Sequence, residues 1–215
     1  MPVRLTSYSQ GENMTITDMV CYCARVSNPS NQMNTSSNDR LIQYLIKNSH
    51  WSPFEMVSIC LEITTTRDIA RQMLRHRSFS FQEFSQRYAV AESYQTREAR
   101  LQDTKNRQNS IEFDDPKIKE EWLDRQEELA KQSFQTYQWA LDKGIAKEQA
   151  RAVLPEGMTE SRLYMNGTLR SWIHYIQLRT TDGTQKEHRI IALECADAIE
   201  TIFPMVKNII SKECV

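Results

Sequence analysis

Between Arg75 and Tyr88 the chain reads RHRSFSFQEFSQRY. Three guanidiniums, the His76 imidazole, the Glu83 carboxylate, the Gln82 amide and the Ser80 and Ser85 hydroxyls fall within this one stretch. A guanidinium is a planar fork of donors that matches phosphates and planar heterocycles, so this density of Arg points to an anionic or heterocyclic ligand. Alternate residues of an extended segment face the same way. A strand over 81–88 therefore places Phe81, Glu83, Ser85 and Arg87 on one face, where acceptor, hydroxyl and cation can meet one polar ligand. Gln82, Phe84, Gln86 and Tyr88 take the other face. The competing reading is a solvated basic turn before an edge strand, because most charge clusters are only surface.

Other segments carry candidate groups. Gln72 lies one turn before Arg75 and His76, and Arg67, Arg71 and Arg75 recur at i, i+4 and i+8 as one basic stripe. His50-Trp51-Ser52-Pro53-Phe54-Glu55-Met56 reads on its own as a Ser-Pro turn with a buried aromatic. Arg151 opens RAVLP near a helix end, where a cation also complements the helix dipole. In TLRSWIHYIQLR, Arg170 and His174 are i, i+4 and share a helix face. Arg179 comes nine residues after Arg170, half a revolution away on a continuous helix. Either the helix ends first or the two arginines serve different sites. His50, His76, His174 and His188 show no HExxH or HxH spacing, and Cys21-x-Cys23 has no second pair, so no metal site is expected. GxSxG is absent. Many arginines, amides and hydroxyls without a nucleophile suit a site in which a cofactor does the hard chemistry and the protein binds and orients.

The elements that would position these groups can be read from periodicity and caps. Val3–Ser7 reads as a first strand, followed by a helix capped by Thr17 or Asp18 and running to Arg25, with Met19, Val20 and Cys23 inward. A loop over 28–38 leads to a helix from Arg40 to Lys47 with Leu41, Tyr44 and Leu45 as its stripe. Met56–Thr64 alternates cleanly, with Val57, Ile59, Leu61 and Ile63 on the core side of a strand. Thr66–Leu74 is helical, and 89–110 is an irregular connection with some strand at its start. Asp114 or Asp115 caps a long helix that Pro116 opens and Gly144 ends, with a seam of Ile118, Trp122, Leu129, Tyr137 and Ala140. A helix over 145–154, a strand over 159–165, a turn at Asn166-Gly167 and a Thr168-capped helix to Leu178 follow. The last helix starts at Lys186 and reaches about Lys212, with a kink at Pro204. The fold class is α+β: a single domain over 1–215 with a mixed or antiparallel sheet, long helices and an inserted helical arm at about 114–143.

Composition narrows the function classes. The net charge of −1 gives no global pull toward nucleic acid or an anionic membrane, although 17 Arg against 10 Lys favours shaped anion recognition. The five cysteines (Cys21, Cys23, Cys60, Cys195 and Cys214) are irregularly spaced and suit reduced thiols in a cytoplasm. No signal-peptide pattern and no apolar run of membrane length occurs.

The Arg75–Tyr88 motif resembles the signature of the flavin-dependent thymidylate synthases, the ThyX family, whose longer form is RHRxxSxNExSxRY. The chain matches it at Arg75, His76, Arg77, Ser80, Glu83, Ser85, Arg87 and Tyr88, and departs at Gln82, where Asn is usual. His50 and Ser52 resemble the family's HxSPFEH segment, with Met56 in place of its second His. RAVLP resembles its Arg-x-x-Leu-Pro element, and Gln185-Lys186-Glu187 its Gln-x-Glu, to which no role is given. The resemblance spans His50 to about Glu187 and implies conversion of dUMP to dTMP. 5,10-Methylenetetrahydrofolate would give the methylene, reduced FAD the hydride, and NADPH would reduce the flavin. It further implies that Gln72, Arg75, Glu83, Ser85, Arg87 and Arg151 hold dUMP, while Arg179 contacts uracil and acts catalytically. FAD would meet His50, Ser52, Arg75, His76, Arg77, Glu83, Thr168, Arg170 and His174. Many family members have Asn where His174 stands. Family members are intertwined homotetramers with sites built from several chains. Two alternatives remain: a nucleotide- or RNA-binding module without catalysis, and a flavin-binding relative that has lost activity.

Overall fold

The computed structural model describes residues 2–207, and the statements below concern those residues. The expected end of the last helix at 208–212 and Cys214 lie outside them. Four strands form the main sheet: β1 (Val3–Tyr8), β2 (Ser58–Thr66), β3 (Phe79–Glu83) and β6 (Glu160–Thr168), in the order β1-β2-β6-β3. Every pairing in it is antiparallel, which selects the second of the two sheet types expected. A two-residue ladder, β4 (Leu101–Gln102) with β5 (Ser110–Ile111), stands apart. The helices are α1 (Ile16–Ala24), α2 (Asn38–Lys47), α3 (Arg67–Met73), α4 (Pro116–Asp142), α5 (Lys147–Ala150), α6 (Leu169–Arg179) and α7 (Lys186–Glu200).

The alternation in β2 does what it promises. Ile59, Leu61 and Ile63 are fully buried beside Leu163 and Met165 of β6, and α1, α2, α6 and α7 contribute to the same core. The opposite face of β1 and β2 is polar, with Arg4 bonded to Glu62 at 3.1 Å. One core face and one polar face is the usual antiparallel solution.

Local expectations shift in instructive ways. α1 is capped by Thr15, and Asp18, the third residue of its first turn, completes a capping box by accepting the Thr15 N–H on its carboxylate at 3.1 Å. Starting the helix earlier buries Cys21 fully and leaves Cys23 half-buried. In α2, capped at Ser37, Ile42 and Leu45 are inward, while Tyr44 is 55% exposed. The helix expected over 145–154 splits into α5 and a 3-10 turn at Arg151–Val153. α7 ends at Glu200 in place of continuing to Pro204.

Asn166-Gly167 is not a turn. β6 runs through both residues to Thr168, and Gly167 lies opposite Ile59 on one side and Phe79 on the other. A Cβ on Gly167 would lie 2.4 Å from Phe79 Cδ1, so this glycine permits close approach of an aromatic ring. Gly167→Ala is expected to lower stability by about 1–3 kcal/mol through overpacking, with Phe79→Leu in the same chain recovering part of it. Thermal unfolding of the single and double variants measures both. An unchanged melting temperature in the single variant would remove the steric reason for glycine.

The long helix buries a different stripe from the one its apolar residues suggest. Tyr137 and Ala140 are inward as expected, but Ile118, Trp122 and Leu129 are 49%, 43% and 54% exposed. Gln126, Ala130 and Ser133 complete the buried row. Gln126 faces the segment after β3: its Oε1 accepts from the Arg97 N–H at 2.8 Å and its Nε2 donates to the Arg97 carbonyl at 2.9 Å. Hydrogen bonding to irregular backbone at Gln126 and apolar packing of Tyr137 and Ala140 against Ala91 and Ala150 together select this face. The 89–110 connection has no strand at its start beyond a single bridge between Tyr94 and Thr159.

Candidate active site

Helix α6 supplies three of the predicted residues, and its own cap and core fix them. Thr168 accepts the Ser171 N–H at 3.2 Å, so its hydroxyl has a structural duty. Leu169, Trp172, Ile173, Tyr175 and Ile176 are buried, and Trp172 Nε1–H donates to the Ile59 carbonyl of β2 at 2.9 Å. Phe79, Trp172 and Tyr175 stack edge to face, with ring centroids 4.8 Å and 5.8 Å apart along the series. The helix is continuous, so Arg170 and Arg179 lie at opposite ends, separated by about 14 Å of helical rise. The two arginines serve different surroundings.

Arg179 points its Nε–H at His76 Nε2, 3.0 Å away. His76 follows α3, with its N–H bonded to the Met73 carbonyl at 3.0 Å and its ring edge-on to Tyr175 at 4.9 Å. Burial, then the Arg179 charge, pushes the His76 pKa down to about 4. His76 is thus neutral near pH 7, with Nδ1 carrying its proton, because Nε2 accepts.

Behind this pair runs a chain of polar groups. Tyr175 Oη meets His188 Nε2 at 3.0 Å, His188 Nδ1 meets Gln72 Oε1 at 3.2 Å, and Gln72 Nε2 donates to Gln185 Oε1 at 2.8 Å. Gln185 Nε2 then donates to Glu187 Oε2 at 3.0 Å, and Glu187 is paired with Arg100 and, at 3.6 Å, with Arg97. Burial opposes ionisation of Glu187, but the hydrogen bond from Arg100, helped by Gln185 and the Arg97 charge, leaves its pKa below the usual value. His188 is fully buried, and burial, followed by Arg179 and His76, pushes its pKa down to about 3. Sequence reasoning picked Gln72 and assigned nothing to Gln185 or Glu187; His188, Arg97 and Arg100 were missed. Their only linear signal was the Gln-x-Glu-His run that opens α7.

The two depressed imidazoles give a pH dependence of known sign. The unfolded chain binds their protons from about pH 6.5 downward, whereas the folded chain does so near 4 and 3. Stability is therefore complete above pH 6.5 and falls as pH drops through this window, by at most about 1.4 kcal/mol per pH unit for each imidazole. Urea midpoints are expected to be lower at pH 5 than at pH 7. Equal midpoints would mean that neither imidazole is buried neutral.

The other predicted residues form two further groups. Around the start of α6, Arg170 pairs with Glu55, and the His174 ring lies edge-on to Trp51 at 4.8 Å. Burial, then Arg170, lowers the His174 pKa. Ser52 opens a 3-10 turn ending at Met56, and exposed His50 sets its ring edge-on to Tyr44 at 5.9 Å while its N–H donates to the Leu45 carbonyl at 2.8 Å. Around α5, Arg87 Nε lies 3.3 Å from Glu148 Oε2, Arg151 Nε donates to the Glu148 carbonyl at 3.3 Å, and Lys147 bonds the Tyr88 carbonyl at 3.1 Å. The strand expected over 81–88 is instead Phe79–Glu83, so Ser85 and Arg87 do not share a pleated face with Glu83. They fall in the turn that follows, where Ser85 Oγ accepts the Arg87 N–H at 3.4 Å. The β3–β6 ladder ends at Glu83↔Leu163, with one further bond from the Phe84 N–H to the Arg162 carbonyl at 2.8 Å before the chain turns away. Glu83 accepts from Ser161 Oγ at 2.9 Å and lies 3.6 Å from Arg67.

Among the described residues no hydrogen bond or ion pair joins the Arg87–Arg151 group to the Arg179–His76–Gln72 group. Arg75 and Arg77 are exposed and have no carboxylate partner among those residues. No group of three His, Cys, Asp or Glu there is arranged to hold a metal ion, and no helix is long and apolar enough to cross a membrane.

Three comparisons agree with this geometry. Residues 4–205 match the family model described as thymidylate synthase complementing protein. The chain is 52% identical over 196 residues to a flavin-dependent thymidylate synthase of Synechocystis sp., covering 91% of this chain and 90% of that one. It is 49% identical to a probable flavin-dependent thymidylate synthase of Paramecium bursaria Chlorella virus 1, covering 89% of each. The fold superimposes with a TM-score of 0.83 on a UMP/dUMP methylase from Streptomyces cacaoi bound with 5-Br dUMP, at 27% identity and over 98% of this chain and 94% of that one. The motif from Arg75 to Tyr88, the antiparallel sheet that carries it and these likenesses place the chain in the thymidylate synthase complementing protein family, that of the flavin-dependent thymidylate synthases.

Proposed function

We propose that the protein is a flavin-dependent thymidylate synthase that methylates dUMP to dTMP, with 5,10-methylenetetrahydrofolate as one-carbon donor and NADPH as the source of electrons. The observation that carries this reading is the Arg179 guanidinium held at Nε by neutral His76, with the Gln72 amide bonded into the same buried aromatic and imidazole cluster. Reduced FAD, when bound, supplies the hydride.

The residues present fit that cofactor. Arg75 and Arg77 are exposed guanidiniums without carboxylate partners, suited to a pyrophosphate and to the negative charge of a reduced ring. Arg170 and His174 of α6 meet Glu55 and Trp51 of the segment that also carries His50 and Ser52, and these four candidates would form a second polar surface for it. Arg87, Arg151 and Ser85 offer cations and a hydroxyl for the dUMP phosphate. Arg179 directs its remaining N–H groups at the uracil carbonyl and favours the ring form deprotonated at N3. This lowers the cost of developing negative charge on the pyrimidine. His76, held neutral, fixes the guanidinium without adding a competing charge.

Among the described residues no hydrogen bond or ion pair joins the Arg87–Arg151 group to the Arg179 group, and α4 carries exposed Ile118, Trp122 and Leu129. Both features support a homotetramer in which one active site draws residues from several copies. An RNA-binding module has less support, since the net charge is −1.

The test is a visible spectrum of the purified protein with FAD, before and after dUMP, followed by an assay for dTMP with methylenetetrahydrofolate and NADPH. A flavin spectrum that shifts with dUMP, together with dTMP formation, is expected. A bound flavin with no turnover would favour the inactive relative, and no flavin signal in excess FAD would favour the binding module.

A further inference from the structure

The direction of every hydrogen bond in the chain behind Gln72 can be worked out. Gln72 Oε1 is only an acceptor, so His188 Nδ1, 3.2 Å away, must carry the proton. His188 Nε2 is then an acceptor, and Tyr175 donates its hydroxyl proton across 3.0 Å. Gln72 Nε2 donates to Gln185 Oε1, and Gln185 Nε2 donates to Glu187, a carboxylate clamped by Arg100 and Arg97. Each group accepts from one neighbour and donates to the next, ending on a fixed anion. No member can turn over without placing donor against donor or acceptor against acceptor.

Gln72 has two amide hydrogens, and the chain uses one. Its oxygen is committed to His188 and one hydrogen to Gln185. The remaining hydrogen is left on a half-buried side chain one turn before His76, the partner of Arg179. We propose that His188 and Gln185 are positioning residues that lock the Gln72 amide so that it presents an N–H donor to a carbonyl of the pyrimidine substrate. This rests on the synthase reading above. A free glutamine would offer oxygen or nitrogen equally, whereas a locked one discriminates for a carbonyl acceptor at that edge. The depressed His188 pKa agrees, since a neutral ring keeps one donor and one acceptor nitrogen.

The test uses two amides that imitate the two ring nitrogens. His188→Asn puts an N–H near the Nδ1 position and can still donate to Gln72. His188→Gln puts it near Nε2 and cannot. The dissociation constant of dUMP, read from its shift of the bound-flavin spectrum, is expected to weaken about tenfold in His188→Gln, with His188→Asn close to the unsubstituted protein. FAD binding should stay the same in both, and Gln185→Met, at a half-buried position, should reproduce the loss from the other side. Equal dUMP affinity in His188→Asn and His188→Gln, or a loss that follows melting temperature across the three variants, overturns the positioning role while leaving the synthase reading intact. No dUMP response in the unsubstituted protein overturns both.

Discussion

The Arg179→Ala protein is expected to bind flavin and to lose dTMP formation by roughly 10²–10³-fold, the usual effect of removing one preorganised donor at a developing charge. The reason is the isolation of this guanidinium. Its Nε–H is bound to His76 at 3.0 Å, and no carboxylate pairs with it among the described residues. Its terminal nitrogens are thus available to the substrate in a way that those of Arg87, paired with Glu148, are not. Arg179→Lys keeps a charge but loses the planar fork and the Nε contact, so it should recover little of the turnover. Flavin should remain because Arg170, His174, Arg75 and Arg77 are untouched at the other surfaces. Single-turnover formation of dTMP, measured beside the flavin absorbance, separates the two effects. Full turnover in Arg179→Ala would remove this residue from the chemistry.

Arg97→Ala is expected to cost about 3 kcal/mol of stability, the scale seen when one partner of a largely buried ion pair is removed. Arg97 lies in the stretch that reads as featureless from composition, yet it joins three parts of the fold. Its guanidinium lies 2.8 Å from Asp68 at the start of α3, bonds the Thr66 hydroxyl and lies 3.6 Å from Glu187 in α7. Its backbone is held by Gln126 of α4. Its side chain is only 18% exposed and Glu187 19%, so the carboxylates left behind would be poorly solvated. Arg100 still holds Glu187 in the variant, which keeps the loss from being larger. Arg97→Met keeps most of the stem and should lose nearly as much, because the charge is what the carboxylates need. Urea unfolding measures it, and a change under about 0.5 kcal/mol would show the cluster to be solvent-screened.

Much of the fold was legible because its signals are local. The alternation from Val57 to Ile63 fixes which face of β2 is buried, and the Thr168 cap and the Gly144 stop bound their helices through backbone donors and a positive φ of 77°. The family motif names Arg75, His76, Arg77 and their neighbours by type and spacing alone.

What the sequence could not decide are the features set by contact between distant segments. Gly167 reads as turn chemistry until the Phe79 ring is found against it. The strand after Phe79 stops where β6 stops pairing with it, which no property of Ser85 or Arg87 reveals. The buried stripe of α4 is set by the Arg97 backbone groups that Gln126 satisfies and by the packing of Tyr137 and Ala140 on Ala91 and Ala150, so Gln126 turns inward and Trp122 outward. The relay from Tyr175 through His188 and Gln72 to Glu187 joins α3, α6 and α7, with Gln72 and His188 116 positions apart. Residue type and local period determine which groups this protein owns. Only the packing of helices on a shared sheet decides which of them meet, because hydrogen-bond direction and burial depend on neighbours that the linear order does not name.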